Sequence, residues 1–539
     1  MTVTQDASIV GLGLVLALGC SSAARPSDVV VFASGADLES ANPLVTIHPL
    51  SRQVQRHVLF VTLVRYDSTL ALEPYLARQW QWSDGRRELT MQLEPRLRWS
   101  DGQLTTARDV AYTLSAARDS RSGFVRASDL GIIDRVSVLS DSVIRISFRI
   151  AQRDLPTVFA ELPILPAHLL ERVPLSDMRR TPFNTHPVGN GPFRFVDRVP
   201  GQSWTFTKNP DFPDRLGGAP RIRDLVIAVV DEPTTKFAGL ASGDLDFAGI
   251  APTMAALARR DPTINVVDYP ALFSTALVFN VRRSPFNDVR VRQAIGLSID
   301  RQRIVVAALA GFGTPARGAG PPENPLALQF DSVRDVRRAD SLLDAAGWRR
   351  RSNGSDGWRA KDDRQLTIEL LTVGSGDNAI EQLVQADLAD RGIRVEIRQL
   401  ELAAFLARAR AREKSFDMLI TGIPGDLSLA YLRAMFQSSQ ANGTLDYGGF
   451  HAAELDVLFT KARDARTEAE VRAAWRDIQL QLQRLAPVVW LYHSRGVQGV
   501  AARMHHVVMD LRGELVSVAR WTTTASPTVQ SSMARHPRP

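Results

Sequence analysis

The sequence predicts an α/β or α+β protein with mixed sheets, divided into two or three domains. Stretches with strand-like alternation and stretches with helical spacing follow one another without a repeat of solenoid length. The length of 539 residues exceeds one ordinary domain. Hydrophobic residues make up 45% of the chain, enough for well-packed cores, and past the N-terminal region no apolar run is long enough to cross a bilayer.

The chain opens with an apolar run over residues 9–19 that ends at Cys20, its single cysteine. Such a run has the length of a signal-peptide hydrophobic region and is too short to span a membrane comfortably. The arrangement resembles the lipobox of bacterial lipoproteins, in which the thiol is acylated after cleavage. A secretory signal with an incidental cysteine, or a buried helix, is the alternative. Ala17 stands where Leu is usual, Leu18 stands where a small residue is usual, and residues 1–8 carry Asp6 but no Lys or Arg. If Cys20 is acylated, the mature chain has no free thiol, which excludes disulfides, Cys-based metal sites and cysteine nucleophiles together. Residues 21–27 then read as a tether. Several acyl chains would hold it at a membrane, since each buried methylene contributes about 0.8 kcal/mol.

Residues 72–80 and a turn at Ser83-Asp84-Gly85 lead into Leu89-Thr90-Met91-Gln92-Leu93, which alternates apolar and polar as a half-buried strand does. Ser100-Asp101-Gly102 makes a second tight turn. Thr105 or Thr106 then caps a helix whose first turn carries Asp109, a carboxylate at the positive end of the dipole. In Pro187-Val188-Gly189-Asn190-Gly191-Pro192-Phe193 two glycines permit positive φ around a rigid turn. Arg292, Ile295 and Ile299 fall at helical spacing, with Asp300 and Arg301 on the last turn. Residues 522–539, rich in Ser, Thr, Pro and Arg, read as a disordered tail.

The net charge of +7 does not indicate nucleic acid, because the basic residues are nearly all arginine and are scattered among 58 acidic ones. The chain has no Gly-x-Ser-x-Gly elbow, His-Glu-x-x-His, P-loop or dinucleotide fingerprint. Its nine histidines are dispersed singly apart from His505-His506, and adjacent residues on a strand point to opposite faces. We therefore expect no enzyme, no metal site and no cofactor.

Several segments together resemble one family. They are residues 72–80 and 97–112, the 187–193 turn, Lys208-Asn209-Pro210-Asp211-Phe212, residues 241–247, Phe279-Asn280, residues 285–295 with Ile299-Asp300-Arg301, Ala345-Ala346-Gly347-Trp348, residues 391–395 and Phe416-Asp417-Met418. The chain is thereby similar to the bacterial extracellular solute-binding proteins of family 5, the oligopeptide, dipeptide and nickel receptors of ABC importers. That resemblance implies a two-lobed periplasmic-binding-protein fold of type II, in the large class with an inserted subdomain and a hinge of two crossings. It divides the chain into a signal peptide (1–20), a tether (21–27), lobe I with its insertion (28–280), lobe II (281–487), a return to lobe I (488–521) and the tail (522–539). The crossings are expected near Phe279-Asn280 and near Val489-Trp490-Leu491-Tyr492.

The same resemblance implies an extracytoplasmic, lipid-anchored monomer that captures a peptide or peptide-like solute between its lobes and hands it to an ABC permease. A non-peptide solute such as a metal chelate or sugar, or a sensory role without transport, stays open. In relatives a carboxylate in a loop after the Phe-Asp strand holds the ligand α-amine. Here that loop is residues 416–428, the loop's usual Trp is missing, and Asp426-Leu427 replaces Asp-Pro. Asp426 is thus the candidate ligand anchor; alternatively it caps a helix over residues 427–436. Phe273, Phe279, Asn280, Tyr447, Trp490 and Tyr492 complete the expected ligand-binding set, as residues of segments that approach the interlobe cleft in relatives.

Overall fold

The computed structural model describes residues 25–524 except 47, 332–333, 351–356, 375–377, 444 and 466. Cys20 with its signal segment, most of the tether and the tail past Thr524 lie outside the described residues.

A large mixed sheet runs through the molecule. Its strands lie in the order Arg394–Leu400, Thr367–Val373, Met418–Pro424, Ile264–Phe279, Val488–Ala501, Phe247–Gly249, Val29–Ser34, Asp224–Val229, Ser203–Lys208 and Phe193–Val199. Two long antiparallel strands, Ile264–Phe279 and Val488–Ala501, sit at its centre and join its two halves. One end of the pair is flanked by Phe247–Gly249 and packs with the lobe I strands, while the other is flanked by Met418–Pro424 of lobe II. Pairing runs from Ile264↔Ala501 to Pro270↔Arg495, breaks, and resumes at Ser274↔His493. Residues 271–273 are the bulge at which the sheet passes from lobe to lobe.

This break in pairing falls earlier on the first strand, and later on the second, than the expected crossings near Phe279-Asn280 and Val489-Trp490-Leu491-Tyr492. Both flanks of the expected boundary belong to the lobe II core. Leu277, Phe279, Val489 and Leu491 face one layer, and Ala276, Val278, Val488 and Trp490 the other. Burial on both faces of a central strand erases the polar alternation that would have marked the boundary.

Lobe I carries the insertion, a four-stranded antiparallel sheet in the order Ala77–Trp82, Glu88–Leu93, Val143–Phe148, Ile133–Ser140, with helix Ala107–Arg118 packed on it. Thr106 is the cap of that helix. Its Oγ1 accepts from Arg108 N–H, while Asp109 Oδ2 accepts from Thr106 N–H at 2.8 Å. Neither Gly189 nor Gly191 has positive φ. Glycine is required there by close approach, because an added Cβ would meet Leu59 backbone atoms at 2.3 and 2.5 Å. Buried Asn190 between them accepts from Val61 N–H and donates to Thr105, pinning the turn to lobe I.

Two further expectations change. The helix expected over 427–436 is shorter, Tyr431–Phe436, because Leu429 adopts φ of 58° and interrupts it. Order extends into the expected tail, where Thr522–Thr523 pairs with Met504–His505, directly after Trp521, which stacks on Phe247 with centroids 4.2 Å apart. Three threonines hide this edge strand from a reading by composition.

Candidate functional site

Two adjoining cavities of about 600 and 1160 Å³ lie where the lobes face each other, and both are lined by Arg52, Phe273, Pro424, Gly425 and Asp426. The floor is the bulge of the first crossing strand and the end of Met418–Pro424. Phe273 pairs with Pro424 and lays its ring on Gly422, where an added Cβ would meet Cζ at 2.1 Å. Glycine at 422 is thus what lets the ring lie along the cleft floor.

Of the expected binding residues, Asp426 and Phe273 line both cavities, and Tyr447 and Tyr492 line the larger. Three do not reach the cleft. Phe279 is buried against Phe286 with ring centroids 4.9 Å apart. Asn280 donates to the carbonyls of Lys414 and Phe416 at 3.0 and 2.8 Å, tying two lobe II loops together. Trp490 packs edge-on to Tyr431 in the lobe II core. All three lie beyond the bulge, on the lobe II side, where the sheet is covered on both faces.

Asp426 is committed to its own loop. Oδ1 accepts from Ser428 N–H at 2.9 Å, Ser428 O–H at 2.7 Å and Ala430 N–H at 2.9 Å, and Oδ2 accepts from Tyr431 N–H at 3.0 Å. The carboxylate thus organises the turn 427–430 and the first N–H of the short helix behind it. Burial pushes its carboxyl up, against the pull of Arg126.

Sequence reasoning missed a charged cluster at the lobe interface. Arg126 of the insertion meets Asp129 through Nε at 2.7 Å and Glu161 through Nη1 at 2.7 Å. Arg52 approaches Glu161 at 3.4 Å. From lobe II, Arg433 reaches Asp129 at 3.5 Å, an ion pair across the cleft. Burial alone would raise the Glu161 carboxyl, but Arg126, Arg52 and Arg56 outweigh it and hold it below the ordinary range. Arg126 and Asp129 are three residues apart, but no local signal could have linked them to Arg433, which is 304 residues from Asp129.

The smaller cavity contains further perturbed groups. Burial and the adjacent Arg56 guanidinium push His57 down to about 3, so it is a neutral imidazole, with Nε2 3.3 Å from the Arg512 carbonyl. Glu514, pushed up by burial, shares a hydrogen bond with Tyr269.

The profile of the bacterial extracellular solute-binding proteins, family 5 (middle region) matches residues 71–443. The chain is 25% identical over 499 residues to the oligopeptide-binding protein AppA of Bacillus subtilis (strain 168), covering 89% of each sequence. It is also 25% identical over 504 residues to heme-binding protein A of Haemophilus influenzae, covering 87% of this chain and 88% of that one. Among solved structures, AppA of Bacillus subtilis in complex with a nonapeptide superposes with a TM-score of 0.79 at 23% identity, over 92% of this chain and 99% of that one. NikZ of Campylobacter jejuni in complex with Ni(L-His) gives 0.80 at 21% identity, over 92% and 100%. These likenesses agree with the central crossing strands in giving the type II periplasmic-binding-protein fold. With the family profile covering well over half of its length, the chain belongs to the bacterial extracellular solute-binding proteins, family 5.

Proposed function

We propose that this protein captures a peptide or peptide-like solute between its two lobes, outside the cytoplasm, and delivers it to the permease of an ABC importer. Attachment to the membrane through an acylated Cys20 belongs to the same proposal. The observation that carries the reading is unburied apolar surface inside the larger cavity. Val125, Phe273, Val373 and Leu402 are 47, 37, 40 and 53% exposed, and all four line it. Large apolar side chains facing one another across an interlobe space mark a surface for a ligand with apolar side chains of its own.

Size points the same way. A cavity of about 1160 Å³ with a neighbour of about 600 Å³ exceeds what one small chelate or monosaccharide fills. Tyr447 and Tyr492 add aromatic area with a polar handle. In this reading Phe273, Tyr447 and Tyr492 touch the solute, and Asp426 shapes the wall without holding an amine. Closure is a population shift: the lobes meet at Arg433 and Asp129, and the solute adds contacts available only when they meet.

The test is equilibrium dialysis of a random pentapeptide library against the purified protein, with small-angle scattering on each retained fraction. Retention with a decrease in radius of gyration is the expected result. No retained peptide, or identical scattering profiles with and without every retained one, contradicts the proposal.

A further inference from the structure

The lobe II wall of the larger cavity holds a carboxylate without a cation. Glu381 lines that cavity from the first turn of helix Ala379–Ala389. Its Oε1 accepts from the Thr372 hydroxyl at 2.5 Å. Among the described residues no arginine, lysine or histidine lies within ion-pair distance of it, and neither of its oxygens is both unpartnered and shut off from solvent. The other acids that line the cavity are occupied. Asp129 is held by Arg126 and Arg433. Asp426 accepts four hydrogen bonds from its own loop. Glu39 accepts from the Thr46 hydroxyl and the His48 N–H.

The position keeps Glu381 charged, because a carboxylate in the first turn meets the positive end of the helix dipole. The charge also faces an aromatic of the cleft: burial first, and then Glu381, push the Tyr492 hydroxyl up. Around the carboxylate the wall is apolar. Val373 and Leu402 are exposed, Ile380 and Leu406 are half-buried, and all four line the same cavity. An α-amine would bring the polar backbone of its residue into this collar and leave it unpaired. A lysine or arginine side chain instead lays its methylenes on the collar and carries its charge to the carboxylate.

Arg410 also lines the cavity, at its other end. It closes the helix Leu402–Arg410, about 12 Å from Leu402 at about 1.5 Å per residue. Glu381 belongs to the Leu402 end, since its partner Thr372 adjoins Val373, which pairs with Leu400.

We propose that Glu381 is a specificity-determining residue: with the apolar side chains around it, it forms a subsite on lobe II that takes a lysine or arginine side chain of the solute. This rests on the cleft being the binding site for a peptide-like solute, and deepens that reading by giving the solute a basic side chain.

Two measurements on the full-length mature protein test it. In the first, the random pentapeptide library is offered N-acetylated, so that it has no α-amine, and the retained members are sequenced by mass spectrometry. Members with Lys or Arg should be retained about tenfold better than members with Leu or Met at the same position. Glu381→Gln, which leaves Thr372 an acceptor, should abolish that ratio, and Glu381→Asp should keep part of it. No preference in the unaltered protein, a preference that Glu381→Gln leaves intact, or a preference seen only in unacetylated peptides overturns the inference and leaves the peptide reading standing. So does a Glu381→Gln variant that loses all members alike with a lowered midpoint in urea, which marks a structural role.

The second measurement applies where neither library is retained, a result that removes the peptide reading by itself. Thermal unfolding is then followed with hexylamine hydrochloride and with hexan-1-ol at equal ionic strength. A midpoint raised more by hexylamine, with the difference lost in Glu381→Gln, leaves the cation subsite standing. Equal midpoints in the unaltered protein, or a difference that survives in Glu381→Gln, remove the subsite as well.

Discussion

Replacing Asp426 with Ala separates a residue that builds the cleft wall from one that grips the ligand. Four hydrogen bonds disappear in the variant, three of them from backbone N–H groups of Ser428, Ala430 and Tyr431. Loss of a capping carboxylate costs about 0.5–2 kcal/mol. The Tyr431 N–H is buried, and leaving a buried donor unmade adds about 1–3 kcal/mol. Offsetting this, burial already disfavours the charged carboxylate and pushes its protonation up, so removing it recovers part of that desolvation. The net expectation is a loss of about 2–3 kcal/mol from lobe II, read as a lower midpoint in urea-induced unfolding. Affinity for a peptide that the unaltered protein retains should stay within about threefold, by calorimetric titration. An anchor for a ligand ammonium would behave in the opposite way, losing a charge-assisted bond of about 1.5–3 kcal/mol, or about 10- to 150-fold in Kd. A Kd weakened by that amount with an unchanged unfolding midpoint would refute the reasoning.

Other perturbations probe the rest of the cleft. Phe273→Ala removes the exposed ring from the floor and should weaken peptide binding by about 1–2 kcal/mol with little change in unfolding, measured by titration. Gly422→Ala places a methyl where the Phe273 ring lies, so it should change affinity by displacing the ring and destabilise by about 1–3 kcal/mol, which titration and urea unfolding report together. Arg433→Ala removes the ion pair to Asp129 across the cleft, worth about 0.5–1 kcal/mol at its partly exposed position, and should raise the radius of gyration of the ligand-free protein in small-angle scattering. Glu161, held below the ordinary glutamate range, contributes stability that is present above about pH 4.3 and is lost as pH falls through its lower folded value. Glu161→Gln should therefore flatten that acid limb when unfolding midpoints are compared across pH.

Much of the architecture was legible because it depends on local patterns. The capping pair Thr106 and Asp109, the turn at Ser83-Asp84-Gly85 and the helix around Arg292 are short-range features that sequence spacing encodes, although that helix ends at Ser298 and Asp300 caps the next one, Arg301–Leu309, instead of lying on its last turn. Asn190 and its flanking glycines were visible as a rigid turn, but the reason for the glycines, contact with Leu59, needed the fold. The break in pairing at residues 271–273 has no signature in sequence, and Phe279 and Trp490 look like cleft aromatics until strand direction puts them in the core. At Asp426 the residue was identifiable and its helix was not, since the left-handed Leu429 has no signature in sequence. Arg52, Arg126 and Glu161 were invisible for a different reason. In an arginine-rich chain no single arginine stands out, and only the packing of the insertion against lobe II shows which of them pair.

The most direct test of a peptide-like solute held between the lobes is native mass spectrometry of the protein secreted into a bacterial periplasm and purified gently. A heterogeneous series of bound masses that fragment as short peptides is expected, with lower occupancy when Phe273 is replaced by Ala. A ligand-free protein, or a single bound mass that does not fragment as a peptide, would contradict it.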